Sequence, residues 1–369
     1  MRILVAATSL VMVMGLPACD DTPTAPAPGG IPLLADRHSW SPSSTPGPYR
    51  TVAGQVAILP ASIDRGLVVW FSHPAVTAGE FFPALDDEAR QRKVPTLELL
   101  FRPQPGVDSW GGLVLSLEDA PLDPGFVGSL ELWVNDFVPW TRRDDRRGEL
   151  RFDVGRVSED AVWDPRVPPD PENGILDFED RDRSGGQIGY AEDTGLDGVH
   201  SMNEVFDPSR SGGDPDTDPA GDDRALEVGP FRPEDSAEQR LLAAQGINGT
   251  ESNYRSDTED LNGDGVLQTR NDYLEFLVDL SSSASMDVVR DSEVPLRPDR
   301  NGWRRYLIPF DEPQGTVGDP DGNFIRHIRI WVRGTEPGAL LNLQIAGFRV
   351  LGRDGSALLG QGIPGDPGS

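Results

Sequence analysis

The chain has 369 residues, with 33 lysines and arginines against 61 aspartates and glutamates, a formal net charge of -28. Such a balance argues against binding a nucleic-acid backbone, which needs a concentrated positive surface. One cysteine cannot build a disulfide framework within one chain, whereas the length is ample for a sizeable core.

The first stretch, MRILVAATSLVMVMGLPACDD, sets Arg2 before an apolar run and small residues before the only cysteine. A run this short suits a signal peptide over residues 1–18 rather than a spanning helix. LPAC, Leu16 to Cys19, resembles the bacterial lipoprotein processing motif, and that resemblance implies cleavage before Cys19 and a lipid on its sulfur, so that the membrane itself becomes a partner. Residues 19–49 are rich in Pro, Ser, Thr and Gly and predict a flexible tether.

From residue 50 the pattern becomes β-like. RTVAGQVAILPA, RGLVVWFSHP, TLELLFRP, GGLVLSLED, GSLELWVNDF and GELRFDVG are short, branched or aromatic segments punctuated by Pro, Gly and Asp. In SLELWVND the period of two puts Leu130, Leu132 and Val134 on one face and Glu131 and Trp133 on the other. One helical interruption is expected, at residues 86–93. Trp110, Trp133 and Trp140 are candidates for a sugar platform, although tryptophans of β domains more often fill core or sheet-edge space.

Alternation stops at about residue 156, and the stretch 156–282 is crowded with carboxylate, glycine and asparagine. Unpaired negative charge at that density repels itself, so the segment is either disordered or ordered by cations. NGILDFEDRDRSGG offers Asp177, Glu179, Asp180 and Asp182, and EDTGLDGVHSMNE offers Asp193, Asp197 and Glu204. Hard oxygen donors in glycine-bearing loops suit Ca2+ better than zinc or copper. DLNGDGVLQTRND is sharper: Asp260, Asn262 and Asp264 stand at positions 1, 3 and 5 of a calcium loop, Gly265 at 6 and the Val266 carbonyl at 7. Position 12 is Asn271 in place of the usual glutamate, and Asp272 follows one residue late.

Strand-like sequence returns over 283–353, with GWRRYLIPF, NFIRHIRIWVRG and LLNLQIAGFRVLG, and residues 354–369 read as a flexible tail. Arg304, Arg305, Arg326 and Arg329 make a basic interval able to pair with the acidic segment or face a partner, and the period places His327 on the more polar, solvent side of its strand. The expected fold is mainly β. It is a jelly-roll-like (galactose-binding-like) antiparallel sandwich assembled from residues 50–155 and 283–353, with a long acidic calcium-loop insertion between them.

GSLELWVNDF, GELRFDVGRVSED, EDTGLDGVHSMNE, DPAGDD, GINGTESNYRSDTEDLNGDG, GWRRYLIPF and IRHIRIWVRG occur in an order that resembles a repeated segment of the SprA-type translocon proteins of gliding motility and type 9 secretion, over about residues 100–353. The resemblance implies a β-rich portion of an outer-membrane, export-associated assembly. This chain is far too short for the giant barrel, so no translocation activity carries over, and no catalytic residue does either. No nucleophile, zinc or nucleotide motif stands out from the sequence. The expectation is therefore a non-enzymatic, calcium-stabilised lipoprotein of the bacterial envelope, placed at the outer membrane, that holds an envelope or secretion-associated protein. A carbohydrate-binding jelly-roll lipoprotein is the alternative.

Overall fold

A computed structural model describes residues 35–365, apart from 52–63, 74–75, 105–106, 138–147, 162–171, 207–215, 226–234, 281–302, 334–339 and the single positions 49, 83, 173, 186, 205 and 321. Residues Ile31–Ser369 form one compact unit.

The architecture is an antiparallel β-sandwich. The strands are β1 (Trp40–Pro42), β2 (Arg50–Thr51), β3 (Leu67–His73), β4 (Thr96–Arg102), β5 (Trp110–Ser116), β6 (Val127–Asn135), β7 (Glu149–Arg156), β8 (Asp272–Asp279), β9 (Trp303–Pro309), β10 (Gly315–Val317), β11 (His327–Arg333), β12 (Leu341–Gly352) and β13 (Ala357–Gly360). One sheet runs β1-β5-β11-β7-β8-β10-β2. The other runs β3-β4-β12-β6-β9, with β13 also on β12. Strands from before and after the acidic segment neighbour one another in both sheets. β7 and β8 are antiparallel neighbours in register from Glu149↔Asp279 to Arg156↔Asp272, so the acidic segment leaves and re-enters the sandwich at one place.

The period of two decides which side chains enter the core. Leu130, Leu132 and Val134 of β6, Leu150, Phe152 and Val154 of β7, and Ile328, Ile330 and Val332 of β11 all face inward, buried to within 2 %. The opposite faces are covered too. Helices α1 (Ala78–Phe81) and α2 (Asp87–Arg90) lie in the connection before β4, and α1 packs Phe81 on Trp133 at 5.3 Å, edge to face, and on Trp303 at 4.6 Å. Helix α3 (Ala237–Ala244), with Ser236 capping through the Gln239 N–H, lays Leu241 and Ala244 on Val69, Phe71 and Leu100.

Several expectations change here. Trp110 and Trp133 are 0 % and 2 % exposed and present no face to a sugar; Trp140 lies outside the described residues, as does Cys19. Residues 40–42 of the expected tether pair with β5, and Ser43 and Ser44 behind them are buried, because Trp40 has a core site to fill. Within the expected tail, β13 pairs with β12, and Leu359 and Ile363 are buried. His327 is 1 % exposed because the start of the insertion folds over it, and its Nδ1 accepts the Val157 N–H at 3.1 Å. Burial lowers its pKa to about 4.

The basic interval pairs within the sandwich instead of with the insertion. Arg304 meets Asp136, Arg305 meets Glu131, Arg326 meets Glu118, and Arg329 meets Asp153 at 2.6 Å with both side chains fully buried. No helix among the described residues is long and apolar enough to cross a membrane.

Candidate metal centre

Between β7 and β8 the chain has few apolar residues to bury, and buried carboxylates take over the work of a core. Glu159 accepts the N–H groups of Leu261 at 3.2 Å and Gln268 at 2.9 Å. Glu259 accepts those of Ala161 and Asp177, both at 3.0 Å. Glu179 accepts those of Thr194 at 3.0 Å and Asp257 at 3.1 Å, and Asp193 those of Asn253 at 3.3 Å and Tyr254 at 2.8 Å. None of these four is more than 4 % exposed. Each ties segments distant in sequence, since a carboxylate offers several lone pairs and bonds from N–H to an ionised acceptor are strong. Burial still disfavours the charge. It raises Glu159 to about 7, with Asp260 and Asp264 adding repulsion, and Glu179 to about 8, with Asp257 and Asp193 adding theirs.

Two local turns share one construction. Asp180 accepts the N–H of Ser184 and, five residues on, of Gly185, both close to 2.9 Å. Asp260 accepts those of Gly263 at 2.7 Å and Gly265 at 2.6 Å. Gly185 and Gly265 have φ of 72° and 77°, the left-handed region in which a side chain is strained. In each the chain then supplies a carboxylate twelve residues after the first aspartate, Glu192 and Asp272. Glu192 closes on its loop, and carboxylate oxygens of Asp180, Asp182 and Glu192 lie within 4.8 Å of one another. Asp272 does not: one oxygen accepts the Asp319 N–H at 2.9 Å and the other meets Arg270.

The 260–266 loop is anchored to the sandwich by Leu261, which packs with Val114, Val157, Tyr273 and Val317, and by the Leu261 carbonyl, which accepts the Ser116 hydroxyl at 3.2 Å. Within it the Gln268 amide donates to Asp264 at 3.1 Å and to the Val266 carbonyl at 2.7 Å. Its NH2 thus stands where a cation bound through positions 5 and 7 would sit. Asn262 donates to the Gln268 oxygen at 2.8 Å, and Asn271 accepts the Ser158 N–H at 2.9 Å.

The second cluster joins parts of the insertion far apart in the chain. Asp197, Glu204 and Asp222 bring carboxylate oxygens within 4.8 Å of one another. Asp197 accepts the Val199 N–H at 2.8 Å, Glu204 the Ala220 N–H at 2.7 Å, and Asp218 holds the turn by accepting from Gly221 at 2.8 Å and Asp222 at 3.1 Å. Oε1 of Glu204 and Oδ1 of Asp222 are buried without a hydrogen-bond partner among the described residues. Burial raises Glu204 to about 7, with Asp197 and Glu251 adding repulsion; it raises Asp222 to about 9, with Asp197, Glu204 and Glu251 adding theirs. An oxygen-only set of this kind fits a hard divalent cation, whose charge would offset the burial and repulsion that disfavour ionised Glu204 and Asp222.

The structure therefore brings together Asp180 and Asp182 in one group and Asp197 and Glu204 in the other. It employs Glu179 and Asp193 as backbone acceptors, and it places Asp177 against Glu259 and Thr258 through its main chain. Sequence reading missed Glu192 and Asp222. The first was legible in the equal twelve-residue spacing of Asp180–Glu192 and Asp260–Asp272, whereas Asp222 arrives through tertiary folding with no local signal.

No family model matches the chain, and no curated protein matches its sequence.

Proposed function

We propose that this protein is a non-enzymatic, lipid-anchored module of the bacterial cell envelope whose acidic insertion is held in shape by Ca2+ and presents a surface to a protein partner. The observation that carries the calcium reading is the convergence of Asp197, Glu204 and Asp222 from separate segments, with two of their buried oxygens lacking a donor among the described residues. Asp180, Asp182 and Glu192 form a second, more exposed site on a turn of calcium-loop type. Within the insertion, most of the described carboxylates outside these groups accept backbone N–H groups, as Glu159, Glu179, Asp193, Asp218 and Glu259 do, which fits a scaffold better than acid–base chemistry.

The insertion also supports the partner reading. Ile175, Tyr190, Met202, Tyr254 and Val266 each expose more than half of their surface there, amid carboxylates, and exposed apolar side chains with a polar rim suit protein contact. The lipid on Cys19 rests on the LPAC sequence, and the place in an outer-membrane, secretion-associated assembly rests on the ordered likeness to SprA-type segments. The jelly-roll winding is supported by consecutive strands β4, β5, β6 and β7 falling in alternate sheets.

Calorimetric titration tests the site directly. Wild-type protein stripped of metal binds Ca2+ and releases protons at pH 7, because carboxylates protonated in the free site must ionise to coordinate. Asp222→Asn with Glu204→Gln removes that binding phase while the exposed site persists. Titration curves that coincide for the two proteins would refute the assignment.

A further inference from the structure

Many described arginines of this acidic protein are spent on ion pairs, among them Arg65, Arg151, Arg240, Arg304, Arg329 and Arg349, but one cavity collects three arginines. It encloses about 240 Å³ between β1, the edge of one sheet, β3, the edge of the other, and the insertion. Arg37, Arg224 and Arg255 line it with Asp257 and Glu259, a formal excess of one positive charge. Arg37 donates to the Ile247 carbonyl at 2.8 Å. Arg224 and Arg255 are half-buried, and neither guanidinium makes a hydrogen bond or ion pair among the described residues.

Their positions are nonetheless fixed by backbone. The Arg224 N–H donates to the Glu251 carbonyl at 2.9 Å, and Arg255 forms a bridge with Gln187 and donates its N–H to Asn253 at 2.6 Å. The acids do not fill the space. Both Glu259 oxygens hold backbone N–H groups, and the Asp257 carboxylate is engaged by the Asn253 amide. Trp40, Trp70 and Ile247 give the cavity an apolar wall, and Asn248, which bonds both the N–H and the carbonyl of Trp70 at 2.9 Å, seals that part of the β3 edge.

From this geometry we infer that the cavity is a binding site for a small organic monoanion, its carboxylate held by Arg224 and Arg255 and its body laid on the Trp40–Trp70 wall. A guanidinium fork matches a carboxylate in shape and charge, and two half-buried forks left without acceptors create a demand that such a ligand meets. A single excess charge selects a monoanion, since a phosphate dianion would face Asp257 and Glu259 with one charge uncompensated. The cavity lies below the usual range for drug-sized ligands, which restricts the body to about one sugar or amino-acid residue. His38 at the rim reports the same field: its pKa is lowered, first by desolvation and next by Arg37, with Arg255 and Arg224 adding to it.

The test uses the full chain with calcium present and titrates D-glucuronate, N-acetylalanine, D-glucose and inorganic phosphate, reading heat and the His38 ring resonance. Glucuronate or N-acetylalanine binds, whichever of the two has the matching body, and its binding raises the His38 pKa by neutralising the field. Arg224→Gln with Arg255→Gln weakens that binding about tenfold or more, the loss of one charged hydrogen bond or greater. The double variant melts close to the wild type, because neither guanidinium makes a hydrogen bond or ion pair among the described residues. Glucose binding as tightly as glucuronate, phosphate binding in preference to both carboxylates, or no carboxylate binding at millimolar concentration would each overturn the assignment. Carboxylate affinity that survives the double substitution would do so too.

Discussion

Asp153 and Arg329 show at residue scale how a sheet face with no hydrophobic pattern is buried. Both are fully buried, the Arg329 guanidinium lies 4.8 Å above the Tyr273 ring, and it donates as well to the Ser44 carbonyl at 3.0 Å. Beside them Arg151 pairs with Glu275 and stacks on Trp331. The cost of desolvating such charges is offset only while every partner stays in place. Asp153→Asn leaves the guanidinium buried and uncompensated, and should destabilise by about 3 to 5 kcal/mol in denaturant melts. A loss below about 1 kcal/mol would mean that water already reaches the pair. The alternation of β7 and β11 was legible in the sequence, as were the inward Phe152 and Ile330. That the polar face is also buried was not, because its cover comes from residues 43–48 and 157–161, which have no period of their own.

Among the elements, the insertion is distinguished by replacing apolar packing with carboxylates that accept backbone N–H groups. This gives its stability a pH dependence of definite sign. Glu159 and Glu179, raised by burial to about 7 and about 8, hold more protons folded than unfolded, so their contribution is present at low pH and lost as pH rises through those values. His73 and His327, both lowered to about 4 by burial, act in the opposite sense, but only below their ordinary pKa of about 6.5. In metal-free buffer, hydrogen-exchange protection of the insertion should therefore fall as pH rises from about 4.5 to about 8, and that of the sandwich core, where the two histidines lie, should not fall with it. Glu179→Gln should flatten part of that fall; protection independent of pH would contradict the account. A surplus of acid was evident from composition. How those acids are arranged was hidden, since Glu179 and Asp180 are neighbours in sequence, yet Glu179 ties the distant Thr194 and Asp257 while Asp180 closes its own turn on Ser184 and Gly185 and converges with Asp182 and Glu192.

For the molecule as a whole, the insertion makes the sandwich more than a two-layer core. It leaves β7, packs Leu261 on one sheet and α3 on the other, and returns on β8, so an ordered insertion covers both outer faces at once. Calcium at the Asp197–Glu204–Asp222 group would then stabilise the folded chain well beyond the site, because an ion that binds only the folded form adds free energy to folding as a whole. Thermal unfolding of the metal-stripped protein at pH 7.5, with Ca2+ or with excess chelator, tests this most directly. The account predicts a melting temperature several degrees higher in Ca2+, since ligand at about a hundred times Kd adds about 2.7 kcal/mol, and loss of most of that rise in the Asp222→Asn, Glu204→Gln variant. Identical melting with Ca2+ and with chelator would contradict it.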